Sequence, residues 1–212
     1  FDNLTLNLGP FEQIYSEQRQ FFKEGVDLFE KGNLFFSRRV GNAPTGEAQL
    51  GVNEEITDFP NEVKTLNAVK VSGRTKKGLG IGIFNAITEK AEATIKNNVT
   101  DEIRKEVVEP LANYSVLVID QQLGTSSSIS LINTNVTRSG HFRDANVTGA
   151  LFDLSNKKNT YNLSGGAKMS SLNLAEGDQT GFSSRLRFAK VSGNYRYQIG
   201  HNLADTKYDI ND

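Results

Sequence analysis

The chain has 212 residues, with 24 Lys and Arg against 25 Asp and Glu, a formal net charge of −1, and no cysteine or tryptophan. At that balance no electrostatic footprint for nucleic acid or anionic lipid stands out, and the missing cysteine removes disulfides, thiolate metal sites and cysteine nucleophiles together. No run of about 18 apolar residues is present, which excludes a membrane-spanning helix. The mean hydropathy of −0.44 is still compatible with membrane strands, because these alternate lipid-facing and inward residues.

Taken in order, the chain begins at Phe1 without a methionine, as expected of a mature or cut fragment. Ser16 to Phe29 carries Phe21, Phe22, Val26 and Phe29 at roughly helical spacing, interrupted by Gly25. A second helical candidate is Thr100 to Val108, with Ile103 and Val107 four apart and Pro110 as its stop; an extended conformation fits both segments equally well. From about Thr65 the period is two. Thr65 to Thr75 sets Val69, Val71 and Gly73 against Lys70, Ser72 and Arg74, and Lys76-Lys77-Gly78 reads as a tight turn. Leu79, Ile81, Ile83 and Ile87 then oppose Gly80, Gly82, Ala86 and Thr88. Gly80 and Gly82 read as room for an inward neighbour such as an aromatic ring.

Further strands follow. Tyr114, Val116 and Val118 alternate before Asp120. Gly124-Thr125-Ser126 turns into a return strand over Ser128 to Thr137. Ala145 to Leu154, Thr160 to Ser171, Phe182 to Phe188 and Tyr195 to Ile199 continue the pattern. The Asn-x-Thr triplets at Asn3, Asn98, Asn135 and Asn146 read as the Asn/Thr-rich surface of alternating strands. Strands of about 9 to 12 residues are long enough to cross a bilayer when tilted, whereas soluble strands peak near 5 or 6. The predicted fold class is therefore all-β: an incomplete antiparallel transmembrane β-barrel with a short irregular or helical inward segment near the N-terminus. Residues 1–60 are expected to hold an N-terminal strand and a plug-like segment, and 61–212 the barrel strands. A soluble sandwich or lipocalin-like barrel is the competing architecture. Period alone does not tell which way the apolar face points.

Several motifs carry a family resemblance. They are Glu17 to Gly25 with Asp27-Leu28-Phe29, Leu34 to Gly41, Ala68 to Thr75, Gly80 to Thr88, Glu109 to Tyr114, and the closing Tyr208 to Asp212. In this order they resemble the C-terminal barrel of an uncharacterised outer-membrane family of Bacteroidetes-type bacteria. Its full-length members resemble proteins with an N-terminal family-9-like carbohydrate-binding module. The family pattern has proline where Gln20 stands and tyrosine where Phe36 stands. The resemblance implies a bacterial outer-membrane location and a chain cut from a larger protein.

Charged residues on membrane strands should avoid lipid, since an arginine or lysine at the midplane costs about 2–4 kcal/mol. Glu17, Arg19, Glu24, Asp27, Arg38, Arg39, Lys70 and Arg74 form the first inward candidate cluster, either a solute-selecting constriction or an ion-pair filling of a narrow barrel. Arg185, Arg187 and Arg196, with Gln198, form the second. They are expected to pair with Glu24 or Asp27, or to bind an anionic sugar or lipid phosphate. His141 and His201 read as loop or strand-end histidines, no zinc-ligand spacing is present, and no cofactor is expected. The functional expectation is a channel or substrate-binding barrel linked to carbohydrate uptake. The alternatives are a structural component docking partner proteins and an outer-membrane hydrolase. Expected partners are outer-membrane lipid, glycans and other envelope proteins, with no nucleic acid.

Overall fold

The computed structural model describes residues 21, 27–35, 37–140, 143–174 and 177–210, with the side chain of residue 38 outside that set. The 3-10 turns Lys31–Asn33 and Ser37–Arg39 precede eleven strands. In chain order these are β1 (Glu54–Asp58), β2 (Thr65–Arg74), β3 (Leu79–Thr88), β4 (Ala91–Asn97), β5 (Ile103–Glu109), β6 (Ala112–Gln122), β7 (Ser128–Arg138), β8 (Asp144–Ser155), β9 (Tyr161–Leu174), β10 (Gly177–Lys190) and β11 (Tyr197–Ala204). The protein is all-β, in two antiparallel sheets.

Eight strands build the main sheet in the order β11-β10-β9-β8-β7-β6-β3-β2. Apart from β3 and β6, neighbours in the sheet are also neighbours in the chain. Thr88 at the end of β3 pairs with Ala112 at the start of β6, so the chain leaves and rejoins the sheet at one level. The excursion carries β4 and β5, which pair with β1 in a small sheet of order β1-β4-β5. Val63, Ala91, Ala93 and Val108 form its own buried cluster. Pro110, with no N–H to donate, marks the switch from β5 to β6.

Most of the predicted strands lie in the main sheet, and the Lys76-Lys77-Gly78 turn is present. There Gly78, at φ +83°, lets its N–H reach the Thr75 carbonyl at 3.0 Å while Thr75 N donates to the Leu79 carbonyl at 2.8 Å. The helical alternative for Thr100 to Val108 is corrected: the segment is a turn running into β5. A spacing of four fits one face of a strand as well as one face of a helix, and the β-branched Ile103, Val107 and Val108 favour the strand. The helical candidate Ser16 to Phe29 lies almost wholly outside the described residues, and its last three residues sit in a turn. The main sheet has two edges, β2 and β11, and no pairing joins them among the described residues.

Candidate functional site

The two faces of the main sheet have opposite fates. Register places Gly80, Gly82, Phe84 and Ala86 on one face with Asp120, Val118, Val116 and Tyr114 of β6. Ile132 on β7 and Gly149 on β8 continue that face. The segment 28–40 lies across it. Leu28, Phe29, Leu34 and Val40 pack with Phe84, Ala86, Val116, Val118, Ile132 and Val147 in one buried cluster. Phe29 meets Phe84 edge-on, ring centroids 6.5 Å apart. Glycine makes the approach possible, for a Cβ on Gly82 would stand 3.1 Å from the Phe29 ring. The aromatic neighbour expected at Gly80 and Gly82 is Phe29 at Gly82, whereas at Gly80 the neighbours are the aliphatic Leu28 and the Arg74 guanidinium.

A buried ion cluster locks this segment to the main sheet. Asp120, fully buried, accepts from Lys31 Nζ at 2.6 Å and Ser130 Oγ at 2.7 Å on Oδ1, and from Arg74 Nη2 at 2.5 Å on Oδ2. One carboxylate therefore ties the N-terminal segment, β2 and β7 together. An unpaired carboxylate there would be costly to bury, and both of its oxygens are satisfied. Sequence reasoning passed over Asp120, although its parity with Val116 and Val118 was available: an acid in an inward apolar series requires a cation.

The chain after β11 returns over the covered face. A Cβ on Gly181 would meet the Lys207 and Tyr208 backbone at 2.3 Å, so only glycine admits the crossing. Asp209 N donates to Ser170 Oγ at 3.1 Å, Arg143 pairs with Asp209 at 3.0 Å, and Arg39 Nη1 donates to the Ile210 carbonyl at 2.8 Å. Nearby, the buried Glu109 accepts from Thr45 N and Oγ1 at 2.9 and 2.8 Å and faces Arg138 Nε at 3.5 Å. Residues from three of the recognised motifs, Arg39, Glu109 and Asp209, thus anchor the segments that cross or flank this face.

Beside the N-terminal segment the covered face opens into a pocket of about 820 Å³. Its wall carries Lys168, Arg185 and Arg187 with Ser164, Ser183 and Asn202, and Asp153 is its acid. Asp153 is engaged by Asn162 at 2.6 Å, and Arg187 forks onto Gln198 Oε1 at 3.0 and 2.9 Å. Lys168 Nζ donates to the Gly32 carbonyl. Arg185 has no ion pair among the described residues. This arrangement offers cations and hydroxyl groups to an anionic or hydroxyl-rich solute.

Those members of the first predicted cluster that lie among the described residues are dispersed. Glu17, Arg19 and Glu24 lie outside the described residues, as does the side chain of Arg38. Asp27 is exposed in a turn. Arg39 binds the C-terminal segment, Arg74 binds Asp120, and Lys70, on the covered face, donates to the Phe21 carbonyl and sits 5.1 Å from the Phe21 ring centroid. Of the second set, Arg185 and Arg187 line the pocket and Arg196 is exposed just before β11. No ion pair joins these three to Asp27 among the described residues. His141 lies outside the described residues, and His201 sits opposite Leu186.

The other face is open. Val71, Ile83, Leu117, Ile119, Leu131 and Leu186 are 38–62 % exposed there, with further exposed large apolar residues on β7, β9, β10 and β11. Tyr161 and Phe188 stack at 5.9 Å, and Tyr197 lies 6.4 Å from Phe188. Towards the end of the sheet where β4 and β5 leave, the face turns polar. Asn85 donates to Asn113 at 2.6 Å, and Asn133 to Asn146 at 3.1 Å and Thr148 at 2.8 Å. Asn146 and Asn135, both from the Asn-x-Thr triplets, bond at 3.2 Å within this ladder.

On the small sheet, Arg104 of β5 grips Glu54 through Nε and Nη2 at 2.9 and 2.7 Å and Glu106 through Nη1 at 2.7 Å. This guanidinium, helped by the Gly51 N–H, lowers the Glu54 carboxyl from 4.5 to about 2. It holds Glu106 down as well.

These features define an all-β protein whose main antiparallel sheet is packed on one face by its own N-terminal segment and exposes apolar residues on the other. The chain belongs to the family described as domain of unknown function (DUF5916), whose model it matches over residues 1–212. No curated protein and no solved structure matches it.

Proposed function

We propose that the main sheet is part of the wall of a transmembrane β-barrel in a bacterial outer membrane, with the open face towards lipid and the covered face towards the barrel interior. The observation that carries this reading is that the sheet is apolar on both faces: one is packed by the chain's own segment, while the other still exposes large apolar residues. A soluble sandwich or lipocalin-like barrel would bury the apolar face instead. Strands of 10 to 14 residues in the main sheet, except the 8 of β11, meet the length a tilted membrane strand needs. The edges β2 and β11 require pairing partners, because unpaired strand edges do not persist in lipid.

Within this reading the basic, serine-lined pocket is a site for solute, and the barrel is a channel or substrate-binding barrel that serves glycan uptake. Reconstitution in planar bilayers is expected to give discrete conductance steps that shrink with added anionic oligosaccharide. Silent bilayers over a verified inserted protein would remove the channel. The packing of Leu28 to Val40 against the wall favours a second reading, a filled barrel that docks partner proteins. Affinity purification from native membranes would then retain partners in fixed stoichiometry.

A further inference from the structure

The antiparallel order sends four short turns to the same end of the main sheet: residues 75–78, 123–127, 156–160 and 191–196. This rim is strongly one-signed. Lys76, Lys77, Lys157, Lys158 and Arg196 lie in the turns, Lys190 closes β10, and the turns contain no aspartate or glutamate. None of the six makes an ion pair among the described residues. The opposite end is mixed: Glu89, Asp178 and Asp205 lie there, and so do Lys64, Arg138 and Lys207. In a chain of net charge −1 the single-signed end is thus the rim, which the sequence order conceals.

The second feature adjoins the first. Register places Lys190 directly between Tyr161 on β9 and Tyr197 on β11, on the open face. The Tyr161–Phe188–Tyr197 group therefore sits just inside the rim, with the exposed apolar face beyond it. Aromatic residues with a polar tip settle at the level of lipid headgroups, and a lysine stem lies on apolar surface while its ammonium reaches for phosphate.

We propose that this rim binds the phosphate headgroups of anionic phospholipid in the leaflet it meets. The inference rests on the membrane-wall reading and adds to it an orientation and a lipid class. Basic groups near an anionic leaflet gain affinity by charge, and the gain fades over a Debye length. The test uses the protein at its natural length, purified in neutral detergent, and titrates short-chain phosphatidylglycerol against phosphatidylcholine of equal chain length. Expected is at least about tenfold tighter binding of the glycerol lipid at low salt, falling several-fold as salt rises. The variant K76Q/K77Q/K157Q/K158Q, all surface changes in turns, is expected to lose most of that preference. Equal affinity for both lipids, a preference untouched in the variant, or full competition by inorganic phosphate at the lipid's concentration would each overturn the proposal. A protein that stays monodisperse without detergent and binds neither lipid would instead sink the membrane-wall reading itself.

Discussion

Placing an arginine on the open face separates a lipid-facing wall from a water-facing one. Leu131 on β7 is 46 % exposed and lies between Ile119 and Ala150 of the flanking strands. Asn135 lies on the same face of the same strand, four residues on, inside the asparagine ladder. Four residues advance about 13 Å along a strand, or roughly 10 Å of depth at a tilt near 40°. With Leu131 near the middle of an apolar band about 25 Å tall, Asn135 falls near its boundary. Leu131→Arg should then cost about 2–4 kcal/mol and Asn135→Arg about 0–1 kcal/mol in a bilayer. In water, both changes on a half-exposed strand surface would stay within about 0.5 kcal/mol. The assay is guanidinium unfolding of protein reconstituted in phosphatidylcholine vesicles, followed by tyrosine fluorescence and by heat-modifiable migration on a gel. Equal unfolding free energies for the two variants and the parent, within about 0.5 kcal/mol, would refute the lipid-facing assignment.

Asp120→Ala leaves Lys31 and Arg74 facing each other without their carboxylate. It should cost about 3 kcal/mol, with faster limited proteolysis between residues 27 and 40; an unchanged digestion rate would show that Asp120 does not hold that segment. Gly181→Ala forces a Cβ into the Lys207 and Tyr208 backbone, so tryptic cleavage after Lys207 should accelerate while the main sheet survives, as judged by circular dichroism. The Glu54 carboxyl is lowered in the folded state, so its contribution is whole above the ordinary value of 4.5 and is lost as pH falls from there through about 2. Amide exchange of β1, β4 and β5 between pH 5 and pH 2 should rise beyond its intrinsic pH dependence, and Arg104→Met should abolish that extra rise.

The strands of the main sheet were legible because alternation is a local property: Val69, Val71, Ile81 and Ile83 announce one face within a few residues. Which face is covered was not, since the answer lies in Phe29 and Leu34, some fifty and more than a hundred residues from the Gly82 and Gly149 they cover. The departure of β4 and β5 from the main sheet was hidden for a related reason. Their alternation, with Ala91, Ala93 and Ile95 buried, looks like that of any neighbour in the meander. Arg74 was expected to turn away from lipid because of the cost of its charge there, and in the structure it reaches an acid. The acid is Asp120 of β6 rather than an N-terminal carboxylate, because pairing across a sheet is fixed by register and not by nearness in sequence. The basic rim was invisible until topology gathered Lys76 and Lys157, eighty residues apart, at one end.

The grip of the N-terminal segment on the main sheet bears on how the chain reaches this state. Lys31 finds Asp120 across 89 positions and Arg39 finds Ile210 across 171. Contacts of such sequence separation form late, because closing large loops precedes any gain from them. The segment made before the strands is thus the one seated after them. In the interval Phe29, Leu34 and Val40 remain uncovered beside unpaired strand edges, a combination that invites aggregation. Folding of this protein should therefore be rate-limited by docking of residues 28–40 rather than by hairpin formation, and should depend on helpers that shield that stretch until the sheet is ready.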